Sequence, residues 1–291
     1  MRVHPLGYPV DLVTNSDAVL AAAARSWSAW PELFDQPAMR FEIEVHQRPS
    51  ARNVPTFEAP LGWLMFSADV NNFAAFDLEC RTGYLVISKD ALRDEAAFRH
   101  HWLEAVVLTA LDSVFFTPLH AACVARDGTG TLLCGDSGAG KSSLAYACAR
   151  RGWTLVSDDA FHLAPGPERM GVGGSNLIHL REPACDLFPE LEAMDAGPTP
   201  NGKQAIEIDA SAEGFLTSRH AFISRCFFLR RRPGPPAVRP FSTCAAIQYF
   251  LKYLFPRDTT SAERHLREFL STEPCMLEYE RIEDAIMVLE S

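Results

Sequence analysis

Alternation of apolar and polar residues dominates the first ninety positions of the chain. FEIEVHQR (41–48) changes face at each residue, as a half-buried strand does. GWLMFSA, AAFDLEC and GYLVISK repeat the pattern, with turn residues between them. One helical run, AVLAAAARSW (18–27), precedes them. Residues 1–90 are therefore expected to form a small, mostly antiparallel α+β region without chemistry of its own, with Phe73 and Phe76 packed inside. From residue 90 the period lengthens. DALRDEAAFRHHWLEAVVLTALDSVF reads as one long helix opened near Asp90, a favourable cap. Its His100 and His101 have no metal-ligand partners at helical spacing and read as packed or solvated histidines.

A second pattern follows. In LHAACVARDGTGTLLCG two apolar runs flank DGTG, a strong hairpin signal. KSSLAYACARRGW then reads as a helix ending at Gly152, and TLVSDDAFHLAPG as a strand carrying two adjacent aspartates. Residues 165–200 are rich in glycine and proline and read as loops. KQAIEID, AFISRCFFLR and CMLEYER are strand candidates. CAAIQYFLKYLF, SAERHLREFLS and IEDAIMVLE are amphipathic helices, and RRRPGPP is a basic turn. The chain divides on this reading into 1–90 and 91–291.

Charge and cysteine usage narrow the class. The 291 residues carry 27 Lys+Arg against 37 Asp+Glu, a formal net charge of −10, which argues against nucleic acid as the main partner. The eight cysteines are scattered singly, with no C-x-x-C pair, and read as reduced thiols of a cytoplasmic protein. The most apolar window, AVVLTALDSVFFTPLHAACV, contains Asp112, Pro118 and His120. It fits a buried helix followed by a strand better than a membrane span, and no secretory signal is expected.

GDSGAGKSS (135–143) carries the chemistry. Gly135, Gly140, Lys141 and Ser142 fit G-x-x-x-x-G-K-[ST]. Bare backbone across Gly135, Asp136, Ser137, Gly138, Ala139 and Gly140 presents amide N–H groups as an anion nest that side chains would obstruct. The helix that begins there, with Ser143 in its first turn, adds its positive dipole end. Lys141 reaches the β- and γ-phosphates, and the Ser142 hydroxyl can ligate Mg²⁺. The expected ligand is ATP with Mg²⁺. Two carboxylates follow seventeen and eighteen residues after Lys141, at Asp158 and Asp159. One could serve the metal and the other accept a proton from an attacking hydroxyl; the sequence does not say which. Alternatively they cap the next turn. His120, on the strand before the glycine-loop strand, is either a core histidine or a group that orients one of these carboxylates.

Together, LHAACVARDGTGTLLCGDSGAGKSSLAYACARRGWTLVSDDAFHL resembles the catalytic core of HPr kinase/phosphorylase. That family has a histidine on the strand before its P-loop hairpin, a GDSGxGKS loop and a strand ending in Asp-Asp. Here these are His120, residues 135–142, and Asp158 with Asp159. The resemblance implies an α/β fold: a P-loop kinase core of the HPr kinase/phosphoenolpyruvate carboxykinase type, preceded by a small α+β N-terminal region. It implies transfer of the γ-phosphate of ATP to a serine-type hydroxyl, with catalytic roles for His120, Lys141, Asp158 and Asp159 and metal ligation by Ser142, Asp158 and Asp159. Two departures stand out. GVGGSNLIHLREP has no glutamate at the place where the family puts its metal-binding one after the Asp-Asp strand, and the first ninety residues do not match its usual accessory domain. Relatives of this kind are similar to kinases of peptide-modification systems, such as those acting on lasso-peptide precursors. The implied partner is therefore a peptide or protein acceptor, a ribosomal precursor peptide being one form, and homo-oligomers stay open. A small-molecule hydroxyl kinase and a nucleotide-gated binding module that transfers nothing are the alternatives. Lys203 and Arg181 are further candidates for phosphate or acceptor contact, or are solvated surface charges.

Overall fold

A computed structural model describes residues 1–49, 54–174, 177–181, 184, 186–198, 204–254, 259–271 and 273–291. The chain forms two compact units, Met1–Phe116 and Thr117–Ser291. The first takes in the helical run that the sequence pattern groups with 91–291.

In the first unit, β1 (Arg2–Val3), β2 (Val10–Thr14), α1 (Asp17–Trp27), β3 (Met39–His46), β4 (Thr56–Glu58), β5 (Trp63–Asp69), β6 (Asn72–Asp77) and β7 (Thr82–Ser88) precede α2 (Glu95–Phe98) and α3 (Ala105–Val114). The strands make one sheet in the order β1-β2-β3-β7-β6-β5-β4. It is more mixed than the alternation predicts, because β2–β3 and β3–β7 are parallel. The α1 crossover supplies the long connection that a parallel β2–β3 pair needs. The long helix starts later than Asp90: Asp94 caps it by accepting from the Ala97 N–H at 3.0 Å, and residues 99–104 widen into a π turn between α2 and α3. Phe76 is buried as expected, but Phe73 is 39% exposed. An odd separation along a strand puts two residues on opposite faces, so only one of the pair can enter the core.

The second unit runs β8 (Thr117–Arg126), β9 (Thr129–Cys134), α4 (Lys141–Arg150), β10 (Thr154–Ser157), β11 (Ala160–Leu163), β12 (Met170–Gly173), β13 (Leu177–Leu180), β14 (Gly197–Pro198), β15 (Gln204–Asp209), β16 (His220–Arg231), β17 (Ala237–Pro240), α5 (Thr243–Leu251), α6 (Thr260–Phe269), β18 (Cys275–Tyr279) and α7 (Ile282–Glu290). Its main sheet has eight strands. β9 lies between β8, antiparallel to it, and β16, parallel to it; β18 continues parallel beside β16, and β17 closes that edge antiparallel. A separate three-stranded sheet has the order β13-β15-β14. The Asp127–Gly128 turn of the β8–β9 hairpin has positive φ at both residues (51° and 79°), which is what DG supplies. The region 165–200 is not all loop: it contains β12 and β13, strands of four residues each, too short for a pattern search to separate from the glycines around them.

Alternation along β9 sorts its side chains into two apolar layers. Leu133 packs with Leu144 and Cys148 of α4 and Ile282, Ile286 and Leu289 of α7. Leu132 and Cys134 pack on the other face with Ile247 and Phe250 of α5 and Leu266 and Phe269 of α6. Burying each such large side chain stabilises by about 1.5–3 kcal/mol. The sheet is thus held between helices, and the loop leaving the C-terminal end of β9 starts from a fixed base.

Candidate active site

That loop passes from Cys134 through residues 135–140 into α4. Gly135, Gly138 and Gly140 have φ of 149°, 89° and 99°, where L side chains are strained. Gly140 is constrained twice: a Cβ there would stand 2.3 Å from the Tyr279 hydroxyl oxygen, and that hydroxyl donates to Ala139 O at 3.0 Å. A Cβ on Gly138 would project into open space. The middle of the loop is therefore clear on its outer side, with Asp136, Ser137 and Gly138 exposed and Ala139 and Gly140 half-buried. Ser142 and Ser143 follow in the first turn of α4, both partly exposed.

Lys141 folds back under the loop. Its Nζ donates to Gly135 O at 2.7 Å and lies 3.1 Å from His120 Nε2. An ammonium only donates, so Nε2 accepts and the ring proton of His120 sits on Nδ1. Nδ1 faces Asp159 Oδ1 at 3.1 Å. Lys141, His120 and Asp159 thus form one continuous polar chain beneath the glycine loop. Burial lowers the Lys141 pKa from its ordinary value, while Asp159, Cys134, Asp158 and Asp136 act in the opposite direction.

The two aspartates sit where one expected strand becomes two. β10 and β11 both pair antiparallel with β8, and the register shifts between Leu155 and Ser157. Asp158 and Asp159 follow this shift, in the bend between β10 and β11, and point to different surroundings. Close contact fixes the bend: a Cβ on Gly173 would lie 1.7 Å from Val156 O, so β12 can pass there only with glycine. The Asp159 side chain is 64% exposed and turns to His120. Asp158 is 5% exposed. Its Oδ2 accepts the His179 backbone N–H at 2.8 Å, and its buried Oδ1 has no hydrogen-bond partner. Desolvation pushes its carboxyl up to about 6, against the downward pull of the His179 N–H and the Ser142 hydroxyl beside it.

Several residues of this site escape sequence reasoning. His179 of β13 has Nδ1 3.8 Å from Asp158 Oδ2 and Nε2 3.3 Å from Glu207 Oε2 of β15. A histidine backed by a carboxylate therefore stands beside Asp158. At the end of α5, the Tyr249 hydroxyl accepts the Gly135 N–H at 3.0 Å and lies 2.7 Å from Gly135 O and 3.0 Å from His120 O. The Tyr253 ring packs against His120 with centroids 4.4 Å apart, and its hydroxyl meets Asp136 Oδ1 at 3.1 Å; Lys252 Nζ meets the same oxygen at 3.0 Å. The signal was Y-x-x-K-Y at helical spacing, which brings a polar stripe onto an otherwise apolar helix. Of the outlying candidates, Arg181 is exposed just past β13, and Lys203 lies outside the described residues.

Among the described residues no group of three or more His, Cys, Asp and Glu side chains could hold a metal alone. Mg²⁺ does not require one, since it usually takes one or two protein oxygens and completes its shell with phosphate and water. The buried Asp158 oxygen without a partner, next to the Ser142 hydroxyl, is a hard-oxygen pair of that kind. No described helix is long and apolar enough to cross a membrane.

Comparison with known proteins gives a likeness over a limited stretch. No protein-family model matches the chain. HPr kinase/phosphorylases of two strains of Limosilactobacillus reuteri are each 41% identical to it over 66 residues, 22% of this chain. The chain spans about a fifth of the length of these curated relatives, 21% in each case. The Hpr(Ser) kinase/phosphatase from Coxiella burnetii aligns over 60% of this chain and 99% of its own at 16% identity; its TM-score of 0.34 carries no argument. Over the matched segment the chain is HPr kinase-like.

Proposed function

We propose that the second unit is a P-loop kinase, which transfers the γ-phosphate of ATP to a serine-type hydroxyl of a peptide or protein acceptor. The observation that carries this reading is the polar chain Lys141–His120–Asp159 under the glycine loop, with the buried Asp158 oxygen beside Ser142. The loop amides and Lys141 hold the phosphates, which offer the ammonium stronger acceptors than Gly135 O and His120. Ser142 and Asp158 hold Mg²⁺, which neutralises phosphate charge when bound. Asp159, exposed and steered by His120, accepts the proton of the incoming hydroxyl. Tyr249 and Tyr253 keep the loop and the histidine in place. A positioned base contributes about 10²–10⁴-fold.

The exposure of Asp159 favours an acceptor that approaches from solvent, as a peptide segment does. A ribosomal precursor peptide fits that description. The test is incubation with γ-labelled ATP, Mg²⁺ and a library of serine peptides, with Lys141→Ala as control. Label on peptide serine, lost in the control, is expected. Tight ATP binding with no label on any hydroxyl would instead make the unit a nucleotide-gated binding module. Label only on small alcohols would make it a metabolite kinase.

A further inference from the structure

At the β16–β18–β17 edge of the second sheet, three arginines converge on one buried carboxylate. Glu278 is 3% exposed and pairs in register with Arg230. Its oxygens lie 3.5 Å from Arg230 Nη1, 3.3 Å from Arg232 Nη1 and 3.1 Å from Arg239 Nε. The three guanidiniums are half exposed or more, at 59%, 50% and 61%. Each offers about five N–H donors, whereas one carboxylate accepts at about four positions. Most of the donors therefore face water, and two net positive charges remain on a chain whose formal charge is −10. Like charges held this close repel, so an anion from outside meets a complementary surface here.

The backbone makes the cluster rigid. RRRPGPP crosses from β16 over the end of β18 into β17. Arg232 N–H donates to Tyr279 O at 2.9 Å, and Gly234 N–H donates to Glu280 Oε2 at 2.9 Å. The prolines remove flexibility from the turn. Register also fixes where the cluster lies. Phe228 of β16 pairs with Cys134, the last residue before the glycine loop, and Arg230 is two residues further in the same direction. Arg231 lies over the Tyr279 ring, whose hydroxyl holds Ala139 of that loop. The arginines thus flank the loop at the same end of the sheet.

We propose that Arg230, Arg232 and Arg239 form the docking surface for an acidic stretch of the acceptor, with Glu278 as the internal counter-ion that sets their geometry. This deepens the kinase reading by naming the acceptor's chemistry: a peptide whose phosphorylated hydroxyl is flanked, some residues away, by Asp or Glu side chains. The nucleotide, held by the loop itself, is not the anion in question.

Fluorescence anisotropy with labelled hexaglutamate, and with hexaserine as control, tests this without requiring any transfer. Hexaglutamate should bind, hexaserine should not, and binding should weaken as salt rises from about 0.05 M to about 0.3 M. The double variant Arg230→Gln/Arg239→Gln should bind hexaglutamate about fivefold or more weakly. Because it leaves Glu278 short of partners, a second variant guards against a mere folding defect: Glu278→Gln keeps the arginines, removes the counter-charge and should bind more tightly than the native chain. Equal binding by all three proteins, or hexaserine binding as well as hexaglutamate, overturns the proposal. So does displacement of hexaglutamate by Mg·ATP, which would make the cluster part of the nucleotide site. Hexaglutamate binding without any phosphoryl transfer would sink the kinase reading and leave this surface standing.

Discussion

Asp158 and Asp159 are one peptide bond apart and occupy opposite surroundings. On the buried side, Asp158 faces His179 and Ser142, has one oxygen without a partner, and burial pushes its carboxyl up to about 6. On the open side, Asp159 is mostly in water and is paired with His120, which is paired in turn with Lys141. Identical side chains acquire different surroundings within one bend between β10 and β11. A carboxylate stripped of water and left short of hydrogen bonds is suited to a cation. One that keeps its solvent contact and gains an oriented imidazole is suited to exchanging a proton with an incoming hydroxyl.

The sharpest way to break this contrast is Asp158→Asn. Phosphoryl transfer is expected to fall by about 10³-fold or more, with loss of Mg²⁺ dependence in initial-rate assays. The same variant should be more stable than the native chain at neutral pH in chelator, because the carboxylate buried at this position then no longer has to ionise. The sign follows from linkage. The folded pKa lies above the unfolded one, so this carboxyl's stabilising contribution is complete below about pH 4 and is lost as pH climbs through about 6. That loss amounts to about 3 kcal/mol. Urea titrations of the metal-free protein between these pH values should show the decline in the native chain and in Asp159→Asn, and not in Asp158→Asn.

Asp159→Asn should lose about 10²–10³-fold in transfer while ATP affinity and stability stay near native, since the side chain is largely hydrated. His120→Gln should cost less, about 10–100-fold, and should shift the pH–rate profile, because in the proposed mechanism it orients Asp159. Equal losses in both variants, with unchanged profiles, would reduce the histidine to packing. The smallest effect belongs to Tyr249→Phe. It removes the hydroxyl that bonds the first residue of the glycine loop and is expected to cost about 1 kcal/mol in thermal or urea unfolding, with a modest weakening of ATP binding.

The parts of this site legible in the sequence are those fixed by local chemistry. DG at the hairpin, the glycine loop, the helix ending at Gly152 (φ 81°) and the adjacent aspartates each need only neighbouring residues to be recognised. His120 is legible only through the resemblance of the whole segment to HPr kinase/phosphorylase; alone it reads equally as a core histidine. What stayed hidden depends on contacts far along the chain. His179 reaches Asp158 only because β13 passes it, and β13 was read as loop. Tyr249 and Tyr253 reach the loop from more than a hundred residues away. The bend that carries both aspartates follows a register shift against β8 and lies beside the point where Gly173 meets Val156 O, contacts that alternation along a single strand cannot reveal. Phe73 failed for the opposite reason: alternation alone would have placed it outside.

The most direct measurement is a crystal structure of the protein with Mg²⁺ and a non-hydrolysable ATP analogue. The account predicts the triphosphate on the amides of residues 135–140, Lys141 turned from His120 to the phosphates, the metal on Ser142 and Asp158, and the Asp159 carboxylate beside the open approach to the terminal phosphorus. A nucleotide bound there with Asp158 away from the metal and Asp159 away from that approach would contradict it.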